Sequence, residues 1–300
     1  MPQVVAKLQS PVRRMHPWWK GMRFRERLWG VVATLLLTAG SVVISIPLVW
    51  VVSTSLKAPS EVYLFPPRWI PKVPQWHNYV YAWTRLPFNL YLRNSLITTL
   101  VPVFANVSTS ALVAYSFARL RWRAREFVFI LCVATMMLPY QVTMIPTFML
   151  FKFLGWIDTF YPLIVPSFFG GGAFNIFLMR QFLLTLPVEL EEAARIDGCS
   201  SLQIWYRIIL PLSKPALTVV AIFSFMDHWR EFLNPLIYLN SKAKWTIMLG
   251  LMSFQDALSG EITIHLMMAL AFLTMLPCLI IFFSSQRVFV EGIALTGIKG

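Results

Sequence analysis

Six stretches of this chain read as near-continuous apolar blocks, at residues 31–54, 95–118, 127–150, 161–184, 212–239 and 262–285. Each is long enough, at about 1.5 Å per helical residue, to cross the roughly 30 Å hydrocarbon core of a bilayer. The period-2 alternation that a membrane barrel needs is absent. The pattern predicts an all-α, polytopic membrane protein with about six transmembrane helices. Residues 1–29 are basic and rich in Arg and Trp without sustained periodicity, and are expected to form a mobile or interfacial tail. Residues 30–300 form the transmembrane domain. Within it, residues 55–93 are dense in Pro, Trp and Tyr, as in an external loop whose rings settle at headgroup depth. That loop either meets an external partner or only connects two helices.

Detail inside the blocks adds three expectations. The second carries Ser110, Ala114 and Ala118 at four-residue spacing, with Ala105 and Thr109 before them. Small residues on one face let helices approach closely in lipid, where packing drives association. The fourth is interrupted by Gly170, Gly171 and Gly172, followed by Asn175, and the third holds Pro139 and Pro146. Such breaks are tolerated at membrane depth where the released backbone groups find partners or line a cavity. The fifth contains Asp227, His228, Trp229, Arg230 and Glu231, then Asn234. Ionisable residues there either face a polar solute's path or mark the outer interfacial end of the helix. Gly171, Gly172, Asn175, Asp227, His228, Trp229, Arg230, Glu231 and Asn234 are the candidate path residues.

Composition supports the bilayer. Of the residues, 57% are hydrophobic and 13% charged, with mean hydropathy +0.64, against roughly 25% charged in soluble domains. The net charge of +13 raises the question of nucleic acid, which its distribution answers. With the N-terminus inside, residues 1–30, 119–126, 180–214 and 286–300 hold 17 Lys/Arg and 7 Asp/Glu. The other side holds 9 and 6, as the positive-inside rule expects. Both termini are therefore expected in the cytoplasm, and no nucleic-acid partner is expected. The first apolar run is too long for a signal peptide and lacks a small-x-small cleavage site, so it is read as an uncleaved helix. Cys132, Cys199 and Cys278 show no metal or disulfide spacing. There is no P-loop, HExxH or GxSxG motif, so no catalytic residue, metal ligand or cofactor is assigned to this chain.

One polar stretch stands apart: "PVELEEAARIDGCSSLQIWYRIILP", residues 187–211. Pro187 suits a first helical position, and Glu189, Glu191 and Glu192 favour the positive end of the helix dipole. Gly198 offers a left-handed stop, and Ser200 with Gln203 has the form of a capping box. The spacing predicts a helix of about 11 residues, a turn, and a second helix to Leu210, with Pro211 opening the fifth span. Ala193 and Ala194 would form one low-relief face.

The spacing Glu192-Ala193-Ala194, three residues, Gly198, nine residues, Ile208, one residue, Leu210-Pro211 resembles the EAA loop of binding-protein-dependent ABC importer permeases. The segments 145–164, 172–187, 228–239 and 292–300 are similar to the carbohydrate-uptake group of that family, near its maltose-type second permease. In Trp229–Pro235 that family often carries Trp-Asn-x-Phe, where this chain has Arg230 for the Asn. The resemblance implies a type I ABC importer permease fold in the inner cell membrane and half of a translocation path for a sugar. It implies a second homologous permease, two ATPase subunits that hold ATP and magnesium, an external solute-binding protein and surrounding lipid as partners. Coupling to the ATPase would fall on Glu192, Ala193, Ala194, Asp197, Gly198, Ile208, Leu210 and Pro211. The C-terminal tail, Gly297, Ile298, Lys299 and Gly300, would reach the same partner. Alternatives are the same role for glycerol-phosphate or another polar solute, and a membrane assembly protein without transport.

Overall fold

A computed structural model describes residues 18–257 and 263–297, with side chains for 25–254 and 263–286. The chain divides between Val51 and Val52 into two compact units. All regular structure among the described residues is helical.

The described part of the first unit belongs to helix α1 (Trp18–Ser55). Every side chain from Arg25 to Val49 is exposed, in a run hydropathic enough to cross a bilayer. Three of its hydroxyls are turned back on the helix: Thr34, Ser41 and Ser45 each donate to the carbonyl four residues back, at 2.7–2.8 Å. The helix begins at Trp18, inside the stretch read as a mobile or interfacial tail. Extending a formed helix adds one hydrogen bond per residue fixed, which suffices without amphipathic periodicity.

The second unit opens with the end of α1, then α2 (Pro59–Val62) and α3 (His77–Arg85). The expected external loop is therefore partly folded. Asn78, buried, donates to the carbonyls of Ser55 and Lys57 at 2.8 and 3.0 Å, satisfying acceptors that the end of α1 leaves open. Next come α4 (Phe88–Arg119), α5 (Arg125–Ala134) and α6 (Tyr140–Phe153). α5 and α6 meet at a 100° bend where Pro139 holds Leu138 out of helical geometry.

α7 (Tyr161–Ile164) and α8 (Ala173–Thr185) flank the glycine triplet, and α9 (Glu189–Ile196), α10 (Ser201–Ile204) and α11 (Leu210–Leu212) form the polar interruption. α12 (Lys214–Trp229), α13 (Leu233–Tyr238), α14 (Ile247–Ala257) and α15 (Ile264–Gly297) complete the unit. Among the described residues, four helical stretches are long and apolar enough to span, or six if each bent pair is one span. α14 reaches only about 16 Å, which is why hydropathy predicts no span there.

α4 is the axis, packed along α8 and α12. At its Arg119 end, Ala111, Ala114 and Ala118 meet Met179 and Leu183 of α8, Ala194 of α9 and Val220 of α12. Ser110 and Ala105 on the same helix are also buried, as the small-residue spacing predicts. At its Phe88 end, Phe88 and Tyr91 meet Ala82, Phe225, Trp229, Phe254 and Leu270. Between the two, Asn106 donates to Ser224 Oγ of α12 at 2.8 Å. Gly171 lies against the Asn106 backbone so tightly that a Cβ would stand 2.6 Å from its carbonyl oxygen. With φ of +69° as well, that position admits no side chain.

Candidate functional site

Two sites emerge, one on α9 and one near the Phe88 end of the helices. α9 is eight residues long, shorter than the expected eleven, because Pro187 and Val188 precede its first turn. Three glutamates sit in that turn. It stops at Asp197 in a Schellman motif: Cys199 N–H donates to Ala194 C=O at 2.9 Å and Gly198 N–H to Arg195 C=O at 3.0 Å. Gly198 takes φ +81°, as that motif requires. Ser200 and Gln203 then close the reciprocal capping box that their spacing predicts.

The chain continues through α10, widens into a π turn over Trp205–Ile209, and ends at α11. Pro211 lacks the N–H that an α-helical register would direct at Arg207, which favours the wider turn. Pro211 thus closes this cross-helix instead of opening the fifth span. That span begins at Lys214, after a 76° bend.

The two alanines part company. Ala194 is 5% exposed and packs into the core with Glu191, three residues back and 2% exposed. Ala193 and Glu192 face outward with Val188, Leu190, Ile196 and Asp197. At 100° per residue adjacent side chains cannot share a narrow face, so the expected Ala193-Ala194 surface is replaced by an outward set of acidic and apolar side chains. Ile196, 86% exposed, is its most prominent member and carries no sequence signal. Ile208 and Leu210 are partly buried against the inner core and seat the cross-helix. α15 ends at Gly297, and Ile298, Lys299 and Gly300 lie outside the described residues.

Sequence reasoning missed Arg119, the last residue of α4. Its Nη2 donates to the carbonyls of Leu183 and Leu186 at 2.6 and 2.7 Å, and its Nε lies 3.0 Å from Glu191 Oε1. Both side chains are almost fully buried. Burial pushes the Glu191 carboxyl above its usual range, against the pull of Arg119 and then Arg195. The Nε and Oε1 atoms, though close, are not aligned as a hydrogen bond.

The second site is a cavity of about 310 Å³, at the small end of ligand pockets. Asp227, His228, Glu231 and Asn234 line it together with Thr98, Tyr140, Ser167 and Tyr238. Tyr140 hydroxyl donates to Asn234 Oδ1, and Glu231 accepts from Asn234 N–H at 3.1 Å. His228 Nδ1 lies 2.8 Å from the Ser224 carbonyl, which can only accept, so the proton sits there and Nε2 turns toward Ser167 Oγ.

The other candidates lie elsewhere. Gly171 packs on α4, and Gly172 and Asn175 do not line this cavity. Trp229 is buried, stacked on Phe225, and donates to the Thr274 carbonyl at 2.9 Å. Arg230 reaches Asp227 at 3.7 Å, but both side chains are well exposed, so the pair holds weakly. Arg230 and Trp229 border a separate, mostly apolar pocket with Met226, Met248 and Cys278.

The cavity wall is fastened by Asp158, at φ +58°. Its carboxylate accepts from the Asn240 and Ser241 backbones at 3.0 and 2.9 Å and from Lys244 Nζ at 3.1 Å. Hydrogen bonds from Ser241, then the Lys244 contact, hold its carboxyl far below the usual range.

Comparison with known proteins places this arrangement. Residues 106–294 match the family model described as binding-protein-dependent transport system inner membrane component. The chain belongs to that family. The permease is 33% identical over 224 residues to the arabinooligosaccharides transport system permease protein AraQ of Halalkalibacterium halodurans, covering 74% of this chain and 79% of the relative. It is 32% identical over 266 residues to the sn-glycerol-3-phosphate transport system permease protein UgpE of Yersinia pestis, covering 86% and 94%. Its fold matches a chain in the crystal structure of a bacterial ABC transporter involved in the import of the acidic polysaccharide alginate. The TM-score is 0.76 at 23% identity, covering 88% of the permease and 97% of that chain. The permease is thus an integral, multi-pass inner-membrane transport subunit with the type I ABC importer fold.

Proposed function

We propose that this permease forms half of a translocation path for a sugar or oligosaccharide and is driven by separate ATPase subunits docked on α9. A second homologous permease supplies the other half, two ATPases hold ATP and magnesium, and an external binding protein delivers the solute. Both termini face the cytoplasm, in keeping with the basic residues on the α9 side. The C-terminal residues Gly297 to Gly300 are assigned to the same ATPase partner.

The observation that carries this reading is the outward face of α9. A compact helix closed by a Schellman motif presents Glu192, Ala193 and Ile196 to solvent while its other face is locked into the core. Apolar side chains as exposed as Ile196, beside acidic ones, suit a protein partner with a basic, apolar cleft. ATP-driven closure of the ATPases would shift α9 and rock the helices between inward- and outward-open states. Such a shift needs contacts that differ between the two states.

Glu192→Lys should abolish uptake while the permease still inserts in the membrane; undiminished uptake by correctly assembled mutant complexes would remove α9 as the coupling point. For cargo, two carboxylates and no Lys or Arg among the cavity-lining residues disfavour a phosphate ester. In the reconstituted complex, a neutral arabino-oligosaccharide should stimulate ATP hydrolysis more than glycerol-3-phosphate, and the reverse order would overturn the sugar assignment.

A further inference from the structure

We propose that Arg119 and Glu191 form the joint through which movement of α9 enters the membrane helices. The inference rests on the coupling reading of α9 and concerns what lies behind its docking face. One guanidinium ties three elements together. It ends α4, it satisfies the carbonyls of Leu183 and Leu186 at the close of α8, and it faces the Glu191 carboxylate of α9. Exposure of 6% and 3% for the two side chains leaves no water to replace either partner. Separating them would strand a charge in dry surroundings, so α9 cannot slide away from α4 and α8 by small elastic steps. It must carry them along.

The same spot has an unusual deficit. Arg119 Nε, Glu191 Oε1 and the Tyr115 hydroxyl are all buried without a hydrogen-bond partner. Tyr115 lies one turn before Arg119 on α4, in the core cluster with Ala194, and within electrostatic reach of Glu191, Arg119 and Arg195. Native proteins leave few such atoms unsatisfied, and each calls for a reason. Here a modest rotation of α9 about the guanidinium would bring Nε and Oε1 into line, without parting the charges. Such a rotation would give the joint a second arrangement, which is the physical requirement for passing a signal between sites. Arg195, at 3.8 Å from Glu191 Oε2 and half exposed, gives the carboxylate a second cation as α9 turns.

The test uses the assembled importer in nanodiscs. Cys132, Cys199 and Cys278 are replaced by Ser, and Thr147→Cys, on the cavity lining, reports its opening through a membrane-impermeant maleimide. Reactivity is compared with and without ATP–vanadate trapping. Glu191→Gln leaves Arg119 facing a neutral group, and Arg119→Met with Glu191→Met removes both charges while keeping the volume filled. In each, ATP hydrolysis should continue while the trapping-dependent change in Thr147→Cys labelling falls about fivefold or more. An unchanged labelling response in the double variant overturns the joint. Failure of the double variant to assemble also overturns it, since the pair would then serve folding alone. Glu192→Lys is the separate check: it should lose ATPase docking itself, and if it retains both docking and gating, the coupling reading falls whatever happens at Arg119.

Discussion

α9 and the outer cavity are both polar places in an apolar chain, yet they are built in opposite ways. α9 is local. Its start, stop and neighbouring cap come from residues between Pro187 and Gln203, and its shape is settled by hydrogen bonds within that stretch. The cavity is assembled from α4, α6, α7, α12 and α13, held in place by long-range contacts such as Tyr140 with Asn234, 94 positions apart. A site made of short-range signals can be read along a sequence and survives as a unit. A site made of long-range meetings depends on whatever holds the helices together.

Substitutions that separate these two modes test the contrast. The largest effect is expected at Gly171→Ala, where both the close Asn106 carbonyl and positive φ oppose a methyl group. It should destabilise the chain by about 3 kcal/mol, seen as a lower thermal unfolding midpoint in detergent, and should disturb the cavity although it lies outside it. Gly198→Ala meets only the conformational penalty, since the space around it is open. About 1 kcal/mol is expected there, with the effect confined to proteolysis or hydrogen exchange around α9. Equal losses at the two glycines would erase the distinction.

Asp158→Asn tests the clip on the cavity wall. Because the folded-state pKa of Asp158 is depressed, its contribution is fully present above its unfolded value of about 3.9 and is lost as pH falls below that. The Asn variant should therefore lose stability at neutral pH, by about 1–2 kcal/mol, and lose part of the acid-side slope. An identical slope would show that the clip does not hold the loops. The smallest effect is reserved for Arg230→Ala: removing an exposed partner of Asp227 should change stability by less than about 0.5 kcal/mol. A clear loss of solute-stimulated ATP hydrolysis without a stability change would return Arg230 to the path.

These outcomes follow how legible each part is in the sequence. The spans are visible because about 20 apolar residues in a row have no other stable home. The α9 loop is visible because Glu189–Glu192, Gly198 and Ser200–Gln203 act on backbone groups a few residues away. The split between Ala193 and Ala194 is not visible, since it depends on which side of α9 meets α4. Nor does any motif mark Arg119, one of four arginines in the run from Arg119 to Arg125, whose charge alone suggests topology. Trp229 and Asp227 share one helix end, but only packing sends the first into the core and the second to the cavity.

The sequence alone determined that this protein lives in a bilayer, where its spans lie, and that one short capped helix stands outside them, because these follow from hydropathy and from local backbone chemistry. Tertiary structure alone decided which glutamate is buried and which is offered, that one arginine binds α4, α8 and α9 together, and which of the clustered polar residues share a cavity. Those outcomes depend on which helix faces meet, and residues far apart in the chain acquire their partners only when the helices have packed.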